Sequence, residues 1–99
     1  MSDKVVKNWL NLAEYDLQTA EVMLEGGRYL YVAFMCQQAV EKILKAIYVQ
    51  EFDQTPPYTH NLIRLVDKLS ISDSVDDDLL CSFEKLNSFY IECRYTEVF

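Results

Sequence analysis

Ninety-nine residues, half of them apolar and a quarter charged, suffice for one ordinary globular domain spanning residues 1–99 and exclude a two-domain chain. A formal charge of −7 opposes non-specific DNA or RNA binding, which needs Lys and Arg to neutralise phosphates, though a small nucleotide can still be held at a local basic pocket. With only two glycines and two prolines, the chain has few turns and long regular elements.

The first element is expected from about Asp3 to Glu25. Val6, Trp9, Leu10, Ala13, Leu17, Ala20 and Leu24 recur at steps of three and four, one face of an amphipathic helix. Ser2 or Asp3 can cap its start, and Gly26-Gly27 end it. The second element runs from about Arg28 or Tyr29 to Phe52. Leu30, Ala33, Gln37, Val40, Leu44 and Ile47 form a seam, widened by Val32, Cys36, Ala39, Ile43 and Ala46. A helix that apolar needs neighbours on more than one side, which places it at the centre. Pro56-Pro57 mark a loop over residues 53–61. Thr59 or Asn61 can cap a short third helix, HNLIRLVDKL, followed by a loop at SISDS. Ser74 reads as the cap of a fourth helix reaching about Arg94, with Leu79, Phe83, Leu86, Tyr90 and Cys93 inward. Asp73, Asp76, Asp77 and Asp78 crowd its start, where carboxylates suit the exposed N–H groups. No alternation at period two is sustained, so the fold class is all-α: a four-helix, up-and-down, antiparallel bundle.

Within the second helix, Phe34, Gln38, Glu41, Lys42 and Lys45 fall on one sector. Two readings stay open. The stripe is solvated, with Glu41 and Lys45 as an (i, i+4) ion pair, or it lines a polar cleft that meets a ligand or a second subunit. Gln37, at the edge of the apolar arc, needs hydrogen-bond partners and favours the cleft.

His60 is the only histidine and sits at the corner after the Pro-Pro loop, which suits a structural bridge better than a nucleophile system. No Gly-rich phosphate loop is present, and Gly26-Gly27 match no such pattern. Cys36, Cys81 and Cys93 lack Cys-x-x-Cys spacing and are expected as buried free thiols; no metal site and no cofactor are expected. MSDKVVKNWL has charges where a signal peptide has its apolar core, and no apolar run approaches a membrane span, so a cytoplasmic protein is expected. Near the C-terminus, Tyr90, Arg94 and Tyr95 put an Arg between tyrosines, a pattern that can grip phosphate and stack a base. Arg94 alternatively complements the helix dipole.

WLNLAEYDLQTAEVML (9–24), GRYLYVAFMCQQAVEKILKAIY (27–48), THNLIRLVDKL (59–69) and FYIECRYTE (89–97) together cover nearly the whole chain. In that order they resemble the HEPN family, the small helical domains of higher eukaryotes and prokaryotes proposed to bind nucleotides. QQAVEKILKA is the most specific piece. The resemblance implies a HEPN-like bundle of the type found in nucleotidyltransferase substrate-binding subunits. It also implies a homodimer, and a cleft lined by the polar stripe and the Arg-Tyr end. Members often act with a minimal nucleotidyltransferase, as a toxin–antitoxin pair or accessory subunit. Some are metal-independent ribonucleases, marked by an Arg followed four to six residues later by His.

Here Tyr-Thr-Glu-Val-Phe follows Arg94 with no His, and His60 precedes it, so the ribonuclease motif is incomplete. Many relatives also continue into another helix, so a short member or a truncated chain is expected. The expectation is a non-catalytic, nucleotide-binding domain working with a nucleotidyltransferase partner, with no DNA or membrane partner and RNA not expected. Arg94 is expected on phosphate and Tyr95 as a stacking ring. Lys42 and Lys45 are supporting charges, Gln38 and Glu41 polar contacts, and His60 a cleft residue. The alternatives are a ligand-free dimerisation or interaction module, with Gln37-Gln38 setting register across the interface, and ribonuclease action by Arg94 with His60.

Overall fold

The computed structural model describes the backbone of residues 3–95 and the side chains of residues 3–91. The described residues are helical with no strand, in the order α1 (Asp3–Glu25), α2 (Tyr29–Phe52), α3 (Leu62–Asp67), a 3₁₀ turn (Ser70–Ser74) and α4 (Asp77–Tyr95). The chain is a small helical bundle.

Each connection is set by local chemistry. After α1 the Arg28 N–H donates to Met23 O at 2.8 Å and the Gly27 N–H to Leu24 O at 3.1 Å. These two bonds make a Schellman motif, and Gly27 takes its required positive φ of 73°. The tight turn folds α2 back along α1. Asp53 ends α2 in the left-handed region, φ 53°, with its N–H on Val49 O. An acidic side chain tolerates that conformation better than most. Asn61 caps α3: its Oδ1 accepts from the Ile63 and Arg64 N–H groups at 3.0 and 3.3 Å. Thr59, the other expected cap, instead accepts from the Asn61 N–H. The expected Ser74 cap of α4 is displaced, because residues 70–74 wind into the 3₁₀ turn. Asp76 takes its place, accepting from the Leu79 N–H at 2.8 Å.

α2 is the hub: it packs against α1, α3 and α4, whereas α1 packs among the described elements against α2 alone. The main core lies on the α3–α4 side, where Leu44, Leu62, Leu65, Val66, Leu69 and Phe83 are buried. Full burial of each large side chain stabilises by about 1.5–3 kcal/mol. On the other side, α1 buries Ala13, Asp16 and Ala20 against α2. Leu10, Leu17 and Leu24, expected on that inner face, are 44%, 48% and 54% exposed. With one neighbour, α1 covers only a narrow stripe, and small residues fill it because they let the helices approach. Leu79 is likewise exposed, while Phe83 and Tyr90 are buried as expected. Cys36 is half-buried and Cys81 exposed, so the expectation of buried thiols fails at Cys81; the Cys93 side chain lies outside the described residues. Burial pushes the Cys36 thiol above its ordinary value, which keeps it protonated and unreactive near neutrality. Among the described residues, no helix is long and apolar enough to cross a membrane.

Candidate functional site

Gln37, Glu41 and Lys45 stand one turn apart on α2, and all three are buried. Charged and amide groups removed from water must find partners inside. Glu41 supplies most of them. Its Oε2 accepts from Lys45 Nζ at 3.0 Å, and its Oε1 from Gln37 Nε2 at 3.2 Å. The same Oε1 lies 2.9 Å from His60 Nδ1. Gln37 Nε2 also donates to the His60 carbonyl at 2.8 Å, and Gln37 Oε1 accepts from Gln38 Nε2 at 2.7 Å. Gln37 thus spends its whole amide inside the protein.

On the α1 side, Lys42 forms an ion pair with Asp16, whose side chain is 8% exposed. Lys45 Nζ lies 5.7 Å from the centre of the Trp9 ring, within cation–π range. Two acids and two bases balance, and no buried side-chain nitrogen or oxygen among the described residues lacks a partner. The stripe is therefore neither a solvated face nor an open cleft. It is sealed by α1 on one side and by the 53–61 loop on the other.

The network reaches the surface at His60. Its ring stacks on Tyr90 of α4, centroids 4.7 Å apart and planes 24° apart, and Tyr90 stacks in turn on Phe34 at 5.7 Å. The His60 side chain is 41% exposed, although its Glu41 partner is buried. Beside it opens a cavity of about 190 Å³ lined by His60, Asn61, Asn87, Tyr90 and Ile91. A wider depression of about 500 Å³ lies over Pro57, Tyr58, Thr59, Arg64, Asp67 and Lys68. Its walls are exposed or half-buried side chains, so nothing there is held as rigidly as His60.

A HEPN-domain family model matches residues 6–99. The chain belongs to the HEPN domain family. No curated protein and no solved structure matches it significantly.

For this HEPN domain, the residues expected at the site divide into three groups. Gln38, Glu41, Lys45 and His60 are linked through Gln37 and Glu41 into one internal network, and Lys42 pairs apart from it with Asp16. Lys42 and Lys45 spend their charge on Asp16 and Glu41. The side chains of Arg94 and Tyr95 lie outside the described residues; the α4 backbone carries them one turn beyond Tyr90. Asp16, Trp9, Asn61 and Asn87 were missed as site residues. Asp16 had a signal: it falls on the same sector of α1 as Ala13 and Ala20, where small residues mark a close helix contact. Gln37 was read correctly as needing partners. Its partners lie within the chain, at Glu41, Gln38 and the His60 carbonyl. Among the described residues, no group of His, Cys, Asp and Glu is placed to hold a metal ion.

Proposed function

We propose that this HEPN domain is a non-catalytic nucleotide-binding module that works with a minimal nucleotidyltransferase partner, as an accessory subunit or toxin–antitoxin-like pair. The supporting observation is the fixed imidazole of His60, which leaves a buried ionic network to border a small cavity on α4. A protein does not commonly bury two ion pairs for stability alone, since apolar packing serves as well or better. A network that ends in an exposed, immobilised histidine holds a side chain ready for a ligand.

In this reading the cavity takes part of the nucleotide, and Arg94, one helical turn past Tyr90, meets the phosphate with Tyr95 beside it. Lys42 and Lys45 act indirectly, by holding Asp16 and Glu41. The domain works as a homodimer through the apolar groove between α1 and α2, lined by Leu10, Leu17, Cys36, Val40 and Ile43.

A second reading is ribonuclease action. It draws support from the stacking of His60 on Tyr90, one turn before Arg94 in α4. One set of experiments separates the two. Calorimetric titration with ATP, GTP and AMP is expected to show binding that Arg94→Ala weakens about tenfold or more, as loss of a charge-assisted contact does. Structured RNA incubated with excess protein is expected to stay intact. Folded protein that takes up none of the three nucleotides overturns the binding reading, and cleaved RNA establishes the second.

A further inference from the structure

Tyr58 is 98% exposed, so its ring adds almost no buried surface to the fold. The backbone that carries it is nevertheless held on both sides. Pro57 before it has a ring-fixed φ, and the Thr59 N–H donates across it to Pro57 O at 3.0 Å. The Thr59 hydroxyl accepts from the Asn61 N–H at 3.2 Å, and the His60 carbonyl accepts from buried Gln37 Nε2 at 2.8 Å. The His60 ring, held in turn by Glu41, meets the Tyr58 ring edge-on with centroids 6.1 Å apart. The buried network therefore anchors a loop that presents an aromatic ring to water.

Tyr58 shares its depression of about 500 Å³ with Arg64, Asp67 and Lys68 from the end of α3, all exposed. Among the described residues neither cation forms an ion pair or a side-chain hydrogen bond, and Asp67 is paired with neither. Lys42 and Lys45, by contrast, are spent inside the protein. A cation at a helix C-terminus suits the dipole without using up its N–H groups. In a chain of net charge −7, this depression holds two free cations against one acid. Pro57 and the Tyr58 ring add apolar surface beside them.

We infer that the Tyr58–Arg64–Lys68 depression is a docking surface for an acidic peptide segment of a partner protein. Arg64 and Lys68 pair with carboxylates of the segment, Tyr58 packs on an apolar side chain next to them, and Asp67 accepts from a segment N–H. A bare phosphate would bring negative charge to Asp67 and no hydrogen for it to accept. A peptide brings both carboxylates and N–H donors, which is what a wall of two cations and one acid can satisfy. Tyrosine and arginine are the residue types that carry much of the energy of protein interfaces, and a ring on a fixed loop has little freedom left to lose on binding. The inference goes beyond the nucleotide reading and does not depend on it.

Nitrogen-15 amide spectra of the full chain locate binding even where affinity is weak. The probe is a capped peptide of alternating glutamate and phenylalanine, set against a counterpart with lysine in place of every glutamate, and against ATP. The acidic peptide is expected to shift the Tyr58, Thr59, Arg64 and Lys68 amides, and to shift them less at high salt, which screens exposed charges. Tyr58→Ala, and the double change Arg64→Glu with Lys68→Glu, are each expected to weaken that binding about tenfold or more. All three side chains are exposed, so both variants should keep the helical circular dichroism of the unsubstituted protein. The basic peptide and ATP should leave these amides in place. Shifts that are absent, that lie elsewhere, that are as large with the basic peptide, or that persist in the charge-reversed variant overturn the docking surface. The same amides shifted by ATP make the depression a phosphate site and overturn it as well. Failure with the peptides leaves the nucleotide reading standing.

Discussion

Glu41 is the residue on which the site depends. Among the described residues it is the one acid hydrogen-bonded to Lys45, Gln37 and His60, and it is buried among them. Glu41→Ala strands a buried ammonium and an amide together, and is expected to lower unfolding free energy by about 3–5 kcal/mol. The measurement is urea denaturation followed by circular dichroism. Adding Lys45→Met to Glu41→Ala should recover part of the loss, because the uncompensated charge is then gone. If the double variant is as unstable as the sum of the two single changes, the two residues are not coupled and the network is misdescribed. Gln37 shows how far one residue can be read from sequence. An amide inside an apolar arc announces that it needs partners, but it does not say which. The answer came from His60, 23 positions further on.

At the scale of elements, the turn between α1 and α2 decides whether the ion pair of Asp16 with Lys42 can form. The two glycines there have different tasks. Gly27 holds φ at 73°, and a Cβ would meet no atom within 4 Å, so its cost is conformational rather than steric. At Gly26 a Cβ would meet Val22 O at 3.5 Å, an ordinary contact, and no positive φ is involved. Gly27→Ala is therefore expected to destabilise by about 1–2 kcal/mol. Gly26→Ala is expected to leave the melting temperature unchanged or slightly raised. Thermal melts of the two variants check this, and equal losses would contradict the capping geometry. Helix existence and order were legible here because periodicity, Gly-Gly and Pro-Pro are local signals. The α4 cap moved from Ser74 to Asp76 because four aspartates and three serines over residues 70–78 offer several chemically equivalent caps. The 3₁₀ turn chose among them: the Ser70 N–H is held by the Glu51 carboxylate at 3.1 and 3.2 Å, a contact no local pattern reveals.

Seen whole, the described molecule measures 39 × 28 × 23 Å, and its long axis is close to the about 35 Å that a 23-residue helix spans. Such a shape follows from α1 lying, among the described elements, against α2 alone. The flank left over carries Leu10 and Leu17, with Ile43 of α2 beside them, all close to half exposed. A pair of such hairpins, packed face to face, would cover these side chains. Sedimentation equilibrium is expected to show a dimer that Leu17→Glu converts to a folded monomer. Because Leu17 is 48% exposed in the protomer, the substitution should leave helicity intact. A dimer that survives the change places the interface elsewhere.

By itself the sequence determined that this chain is helical, where its helices turn, that α2 occupies the middle, and that Gln37 is not a solvent residue. Those properties follow from the spacing of apolar side chains and from backbone preferences within a few residues. Tertiary structure alone decided that the charged stripe is sealed, that Lys42 belongs to Asp16, and that His60 is delivered to Glu41 and Tyr90. The physical reason is that a periodic pattern specifies which face of a helix avoids water. The partner of a buried polar group depends instead on how closely distant segments approach and at what angle. In α1 small alanines set that approach and left larger leucines outside, an outcome that apolar spacing cannot distinguish from its opposite.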